Sequence, residues 1–158
     1  METLATAFIW FSALSAGIMA GVYFTFSVFA MRSFAQLGDE AGARAMQEIN
    51  RVIVQSAFLP LFFLSTLTCA ALVVLGFLGM AGARPELAIA GGAVYVLGMF
   101  VVTVVGNVPL NNKLDAVDAA SEEGKAVWAE YLTRWTRLNH VRTLACIVAM
   151  GLLIGAIG

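Results

Sequence analysis

The alternation of long apolar runs and short charged segments predicts four helices that cross a membrane. Uncharged residues fill the runs 4–31, 52–83 and 87–112, and each exceeds the roughly 20 helical residues that a bilayer crossing requires. The last uncharged run, 143–158, is about 24 Å long as a helix, so a crossing there must include residues that precede it. We therefore expect spans at 4–31, 54–80, 87–107 and 138–157.

The segment between the first two spans has the periodicity of an amphipathic helix. In GDEAGARAMQEINRVIV, Met46, Ile49 and Ile53 share one helical face, and the charged residues occupy the other. We expect this helix to continue into the second span, with a bend near Pro60.

The segment before the last span predicts a second amphipathic helix. Ser121 is suited to cap its first turn, and Trp128, Tyr131 and Trp135 lie on one apolar stripe. This helix should lead directly into the fourth span. The expected fold is all-α, a four-helix transmembrane bundle with two amphipathic cytoplasmic helices, in a single domain over residues 1–158.

The composition supports a membrane protein, and the basic residues indicate its orientation. Hydrophobic residues make up 61% of the chain and charged residues 12%, with a mean hydropathy of +0.89, far from the averages of soluble domains. Eight of the nine Lys and Arg residues lie in or beside the first and third loops. The positive-inside rule places those loops in the cytoplasm and both termini outside.

The sequence favours membrane lipid and small apolar molecules as partners. The net charge is −1 and the basic residues are scattered, so we expect no nucleic-acid partner. Gly17 with Gly21, and Gly151 with Gly155, have the spacing that lets helices approach closely, either within the bundle or between the subunits of a homo-oligomer. One His, no Asp or Glu inside a predicted span and no glycine-rich phosphate motif lead us to expect no metal and no cofactor.

A polar segment, GNVPLNNKLD, begins at the inner end of the third span. Asn107 should lie at the edge of the hydrocarbon, and Pro109 should end the regular helix. Asn111 and Asn112 suit the turn that follows. For these asparagines, turn chemistry is the structural alternative to a role in a binding site.

A second polar segment, WTRLNHVR, supplies the residues that the fourth span must recruit. Asn139, His140 and Arg142 should therefore lie at the same depth as Asn107, and neighbouring spans bring them together. Tyr23, in the inner half of the first span, is placed to join them. Snorkelling of Arg142 to the interface and an interfacial aromatic belt remain the structural alternatives.

Four motifs together resemble the anthrone oxygenase-like family of small integral membrane proteins, which is widespread in bacteria. They are SAGIMAGVYFTFSVFAM, AMQEINRVIV followed by Pro60, VVGNVPLNNKLD, and WAEYLTRWTRLNHVRTLA. The resemblance implies a four-helix membrane fold, here in the bacterial inner membrane. It also implies an oxidoreductase that oxygenates a flat, weakly acidic aromatic ketone.

On this resemblance, His140 takes a proton from the substrate, while Arg142 and Asn107 stabilise the oxyanion that develops. The residues expected to bind substrate are Tyr23, Asn111, Tyr131, Trp135 and Asn139. A noncatalytic protein, which binds a small hydrophobic ligand or serves as a partner subunit, is the alternative. Whether the chain is an enzyme stays open at this point, because a shared fold does not transfer a substrate.

Overall fold

The computed structural model describes residues 2–157 and contains, within that range, five helices and no strand. In chain order these are α1 (Glu2–Thr25, a π-helical turn at Phe26–Ala30, and Met31–Gln36), α2 (Asp39–Ile53), α3 (Phe58–Phe77), α4 (Pro85–Asp115) and α5 (Glu122–Gly155). Helices α1, α3, α4 and α5 are long and apolar enough to cross a membrane. The all-α class is confirmed, and the four helices indicate an integral membrane protein. The first and last residues of the predicted domain, Met1 and Gly158, lie outside the described residues.

The connection between α2 and α3 differs from the prediction. α2 is amphipathic as expected, with Met46 buried and Arg44 exposed. It ends at Ile53 instead of continuing into the second span, and a turn over residues 54–57 precedes α3. Pro60 accounts for the break, because within a continuous helix its ring collides with the carbonyl four residues back. In the first turn of α3 its missing N–H removes no helical hydrogen bond.

The prediction that Pro109 ends the third crossing helix is wrong. α4 continues past it, so Asn111 and Asn112 are helical and do not form a turn. Two π-helical turns, Val96–Val101 and Thr103–Asn107, precede the proline. Their wider geometry shifts the backbone hydrogen bonds by one residue, which lets a residue without an N–H fit inside the helix.

α5 is one continuous helix of 34 residues. The Ser121 hydroxyl accepts a hydrogen bond from the backbone N–H of Gly124 at 2.9 Å, so the predicted cap is confirmed. Residues 138–155 of the predicted span 138–157 form the second part of this helix, which ends at Gly155. The amphipathic first part therefore has a fixed direction relative to the crossing.

Helices α1, α3, α4 and α5 pack around one apolar core, and glycines allow their close approach. A Cβ atom on Gly92 would lie 2.5 Å from the carbonyl oxygen of Cys69, so α4 passes directly over the backbone of α3. A Cβ atom on Gly98 would lie 2.5 Å from the Cβ of Ala145 in α5. These contacts hold α4 between α3 and α5.

In each of the two predicted glycine pairs, only one glycine lies against a neighbouring helix of the bundle. A Cβ atom on Gly17 or Gly155 would contact a neighbouring helix, at 3.0 and 3.3 Å. A Cβ atom on Gly21 or Gly151 would have no described atom of another helix within 4 Å. One glycine of each pair thus serves helix packing, and the homo-oligomer stays a prediction.

A second apolar core lies beyond one end of the bundle, and we call the elements around it the cap layer. The cap layer consists of α2, residues 108–115 of α4 and residues 122–138 of α5. Its buried side chains include Met46, Leu114 and Trp128. The Gln47 Nε2 donates hydrogen bonds to the backbone oxygens of Leu114, at the end of α4, and of Val117, just after it, at 2.8 and 3.1 Å, which holds α2 in place.

Candidate functional site

The structure brings the polar segments of α4 and α5 into direct contact. Asn107 and Asn139 are both fully buried, and Asn107 Nδ2 donates a hydrogen bond to the backbone oxygen of Trp135 at 3.2 Å. Gly106 permits this approach, because a Cβ atom there would lie 2.7 Å from the side chain of Leu138. The predicted meeting of the two segments at one end of the bundle is confirmed.

Arg142 is a buried cation at the centre of this region, with only 5% of its surface exposed. Its Nη2 donates a hydrogen bond to the Oδ1 of Asn139 at 2.7 Å, and its Nη1 donates one to the Oγ1 of Thr103 at 3.3 Å. The guanidinium carbon lies 4.3 Å from the ring centroid of Tyr23 and 5.0 Å from that of Trp135. At these distances the faces of the rings attract the cation.

No carboxylate compensates the charge of Arg142 among the described side chains, residues 4–157. The cations that form ion pairs there are Arg44, Arg51, Lys113, Lys125 and Arg134. The Nε of Arg142 also has no hydrogen-bond partner within that part of the chain. Because buried charges are normally paired, an anionic or strongly polarised oxygen is the ligand group that this guanidinium is suited to bind.

Asn139 holds Arg142 in place and ties α5 to α1. Its Nδ2 donates hydrogen bonds to the backbone oxygen of Tyr23 at 2.7 Å and to the Oγ of Ser27 at 2.8 Å. Its Oδ1 accepts the hydrogen bond from Arg142. The Ser27 and Thr143 hydroxyls form a further hydrogen bond of 3.0 Å between the same helices. Asn139 therefore acts on the site by positioning Arg142.

Asn111 joins the aromatic stripe of α5 to α4. Its Oδ1 accepts hydrogen bonds from the Tyr131 hydroxyl and from the Trp135 Nε1, both at 2.8 Å. Trp128, Tyr131 and Trp135 stack on one another, with ring centroids 5.8 and 5.5 Å apart and interplanar angles of 18°. The stripe is buried in the cap layer, so it forms neither a belt at the membrane interface nor a free stacking wall.

A cavity of about 200 Å³ lies between the bundle and the cap layer. Its polar lining residues are Tyr23, Asn50, Thr103, Asn111, Trp135 and Arg142. Its apolar wall includes Phe26, Met46, Phe58 and Phe62. The π-helical turns of α1 and α4 both reach this cavity, through Phe26 and Thr103, and such turns are frequent at functional sites.

Four of the residues predicted for the site line the cavity, and four do not. Tyr23, Asn111, Trp135 and Arg142 line it, whereas Asn107, Tyr131, Asn139 and His140 are absent from its wall. The first three of these absent residues are buried around it. His140 is exposed.

The structure does not bring His140 to the cluster, in contrast to the sequence-based expectation. Successive residues of a helix are rotated by about 100°, so His140 points about 200° away from Arg142 on α5. The sequence predicts the level of this residue along the crossing helix, but the level does not specify the face of the helix on which it lies. The predicted role of His140 as the base therefore has no support from its position.

Sequence reasoning missed Thr103 and the phenylalanines of α3 that line the cavity. Thr103 lies four residues before Asn107 in α4, a spacing that places two residues on the same face of a helix. That spacing could have indicated that Thr103 belongs to the site. Phe58 and Phe62 also stand four residues apart, but in a run of apolar residues nothing distinguishes them from ordinary core positions.

A comparison with known families assigns the chain to one of them. The sequence model of the family described as anthrone oxygenase matches residues 50–152, which is more than half of the chain. The chain belongs to the anthrone oxygenase family. No curated protein and no solved structure matches the chain. The region matched to the anthrone oxygenase family contains Asn111, Trp135 and Arg142, whereas Tyr23 of α1 lies outside it.

Proposed function

We propose that the cavity binds a flat, weakly acidic aromatic ketone and that the protein oxygenates it without a resident cofactor. The observation that carries this proposal is the Arg142 guanidinium, which is buried, unpaired with any carboxylate of residues 4–157, and part of the cavity wall. A ligand oxygen that becomes anionic during the reaction supplies the missing charge. Membership of the anthrone oxygenase family agrees with this substrate class.

The size of the cavity agrees with a small ring system. A cavity of about 150 Å³ holds a benzene molecule, and pockets for drug-sized ligands begin at about 300 Å³. At about 200 Å³, this cavity lies between these limits. Phe58 and Phe62 supply apolar lining, and Trp135 and Arg142 supply polar groups.

The chemistry can be written with anthrone as the substrate. The methylene group loses a proton to water, and the negative charge that remains is shared with the ketone oxygen, beside Arg142. The carbanion then transfers electrons to O₂ and forms a carbon–oxygen bond, which gives a hydroperoxide after protonation. Loss of water from the hydroperoxide yields the anthraquinone, so one O₂ converts one anthrone into one anthraquinone and one water. Arg142 remains protonated throughout and lowers the energy of the anionic state.

We also propose an orientation in which the cap layer faces the cytoplasm and both termini lie outside, with the chain in the bacterial inner membrane. Eight of the nine Lys and Arg residues lie in or beside the loops on the cap-layer side. Arg84 stands at the other end of the bundle, where it donates a hydrogen bond to the backbone oxygen of Gly155 at 3.3 Å. In this orientation the two amphipathic helices are cytoplasmic and the cavity lies at the inner edge of the hydrocarbon.

Oxygen uptake by the purified protein in lipid nanodiscs, with anthrone as the substrate, tests the enzyme proposal. Arg142→Gln should lower the rate above the spontaneous background by about 100-fold or more, as the loss of one oxyanion donor does in other enzymes. Arg137→Gln, an exposed change on the same helix, should keep the wild-type rate. A folded Arg142→Gln variant with the wild-type rate contradicts the proposal, as does a wild type that adds nothing to the background.

The same assay decides the role that the sequence assigned to His140. His140→Gln should retain the rate, because the exposed imidazole does not reach the cavity. A tenfold loss in this variant, with Arg137→Gln unaffected, would restore the histidine as a participant in proton transfer.

A noncatalytic role is the second candidate, and one observation favours it. Asn107 and Asn139 direct hydrogen bonds to backbone oxygens of neighbouring helices, as residues that lock a bundle do. If Arg142→Gln unfolds the protein in nanodiscs and the folded wild type neither binds nor oxidises anthrone, the polar cluster serves the fold. Binding of anthrone without turnover would instead support a membrane protein that binds a small hydrophobic ligand.

A further inference from the structure

The cavity has an apolar mouth on the surface of the bundle. Four of its lining residues are exposed over about half of their surface or somewhat less, and all four are apolar: Val54 at 52%, Phe63 at 49%, Val104 at 47% and Val108 at 39%. They belong to the turn before α3, to α3 and to α4. The other lining residues are buried or half-buried. The cavity therefore opens between the start of α3 and the second part of α4.

The position of this mouth along the crossing helices places it against acyl chains. Phe63 lies five residues after the start of α3, or about 8 Å along the axis at about 1.5 Å per residue. Val104 lies near the twentieth residue of α4, where a crossing helix reaches the far edge of the hydrocarbon. Both residues thus lie just inside the hydrocarbon on the cap-layer side. Their apolar side chains suit contact with lipid and not with water.

The polar and apolar ends of the cavity give a bound molecule a direction. Arg142 is buried, at 5% exposure, and Trp135 is 4% exposed, so the oxygen of the ligand points into the protein. Phe63 and Val104 belong to the exposed, apolar part of the lining. A volume of about 200 Å³ is filled by a small ring system. Any further part of the ligand must leave through the mouth.

From this geometry we infer that the ligand is an aromatic ketone or phenol with an alkyl or prenyl tail, and that the tail passes between Phe63 and Val104 into the bilayer. This inference rests on the proposed function and adds the class of substrate to it. A tail that remains among acyl chains loses no favourable contacts on binding, whereas a chamber of this size cannot enclose it. The mouth would therefore select membrane-dissolved molecules whose tail is carried by a ring carbon other than the reacting methylene, on a side of the ring system away from the charge-bearing oxygen.

The test compares two probes, anthraquinone and its decyl-substituted analogue, both tritiated, in equilibrium binding to the full-length protein in nanodiscs. Val104→Trp places a large side chain in the mouth, and Val105→Trp is the matched control. Val105 is the next residue in α4, is 71% exposed and does not line the cavity. We expect Val104→Trp to weaken binding of the decyl analogue at least tenfold and to change binding of anthraquinone less than twofold. Val105→Trp should leave both affinities unchanged.

Val108→Trp, at a second exposed position of the mouth, should reproduce this result. It provides the same test if the Val104→Trp variant fails to fold. Equal affinity of Val104→Trp and wild type for the decyl analogue would overturn the inference. So would an equal loss for both probes, because the substitution would then act on the chamber. Failure of the proposed function has a different signature, in which the probes behave as expected but anthrone causes no oxygen uptake.

Discussion

Asn139 connects the Arg142 guanidinium to two groups of α1 and so determines where the guanidinium lies. One amide donates to the α1 backbone at Tyr23 and to the Ser27 hydroxyl, and accepts from Arg142. Each of these bonds is between 2.7 and 2.8 Å long. A single buried amide thus determines both the spacing of α1 and α5 and the direction in which the cation points.

Asn139→Ala should therefore lower the free energy of unfolding by about 2 kcal/mol, at about 0.6 kcal/mol for each of three hydrogen bonds between or within membrane helices. The measurement is reversible unfolding in mixed detergent micelles. Asn112→Ala, an exposed change in α4, is the matched control and should change it by less than about 0.5 kcal/mol. Equal effects of the two substitutions would show that Asn139 does not hold the helices together.

Residue depth could be predicted from the sequence, and residue orientation could not. The length of the last apolar run placed Asn139, His140 and Arg142 at one level, and the structure agrees. Their directions follow from the rotation of the helix relative to its neighbours, which depends on packing contacts such as that of Gly98 with Ala145. The apolar run of α5 carries no clear amphipathic signal that would indicate this rotation. Because the sequence indicates the level of His140 and not its direction, the sequence-based prediction includes this residue in the site.

At the level of helices, Pro60 and Pro109 have different effects. Pro60 lies in the first turn of α3, whereas Pro109 lies within α4 after two π-helical turns. The existence of every helix could be predicted from apolar runs and periodicity. The response of each helix to its proline could not, because it depends on whether neighbouring turns can rearrange their backbone hydrogen bonds.

The contact between α3 and α4 leads to a prediction about Gly92. Gly92→Ala should destabilise the protein by about 1–3 kcal/mol, a typical cost of overpacking, because the new Cβ would lie 2.5 Å from the Cys69 carbonyl oxygen. Gly151→Ala is the matched control, since its new Cβ would have no described atom of another helix within 4 Å. Alanine is also the better helix former there, so this variant should be as stable as the wild type. Thermal unfolding in nanodiscs compares the two, and an equally stable Gly92→Ala variant would contradict the close packing of α3 on α4.

The whole molecule combines an apolar bundle with a cap layer, and the cavity exists because the two do not fill the space between them. α2 covers the cavity through Met46, Ile49 and Asn50, while the bundle supplies Tyr23 and Arg142. A cation in such a place is protected from water yet open to a ligand from the membrane. We therefore propose that Arg142 stabilises the anionic form of an aromatic ketone in this cavity.

The most direct measurement is the absorption spectrum of anthrone bound to the protein without oxygen, recorded as a function of pH. Binding to the wild-type protein should lower the midpoint of ionisation of anthrone by about 1–3 pH units relative to free anthrone, as a nearby cation does for other acids. In Arg142→Gln the midpoint should not fall below that of free anthrone. The same midpoint for anthrone bound to wild type and to Arg142→Gln would contradict the account.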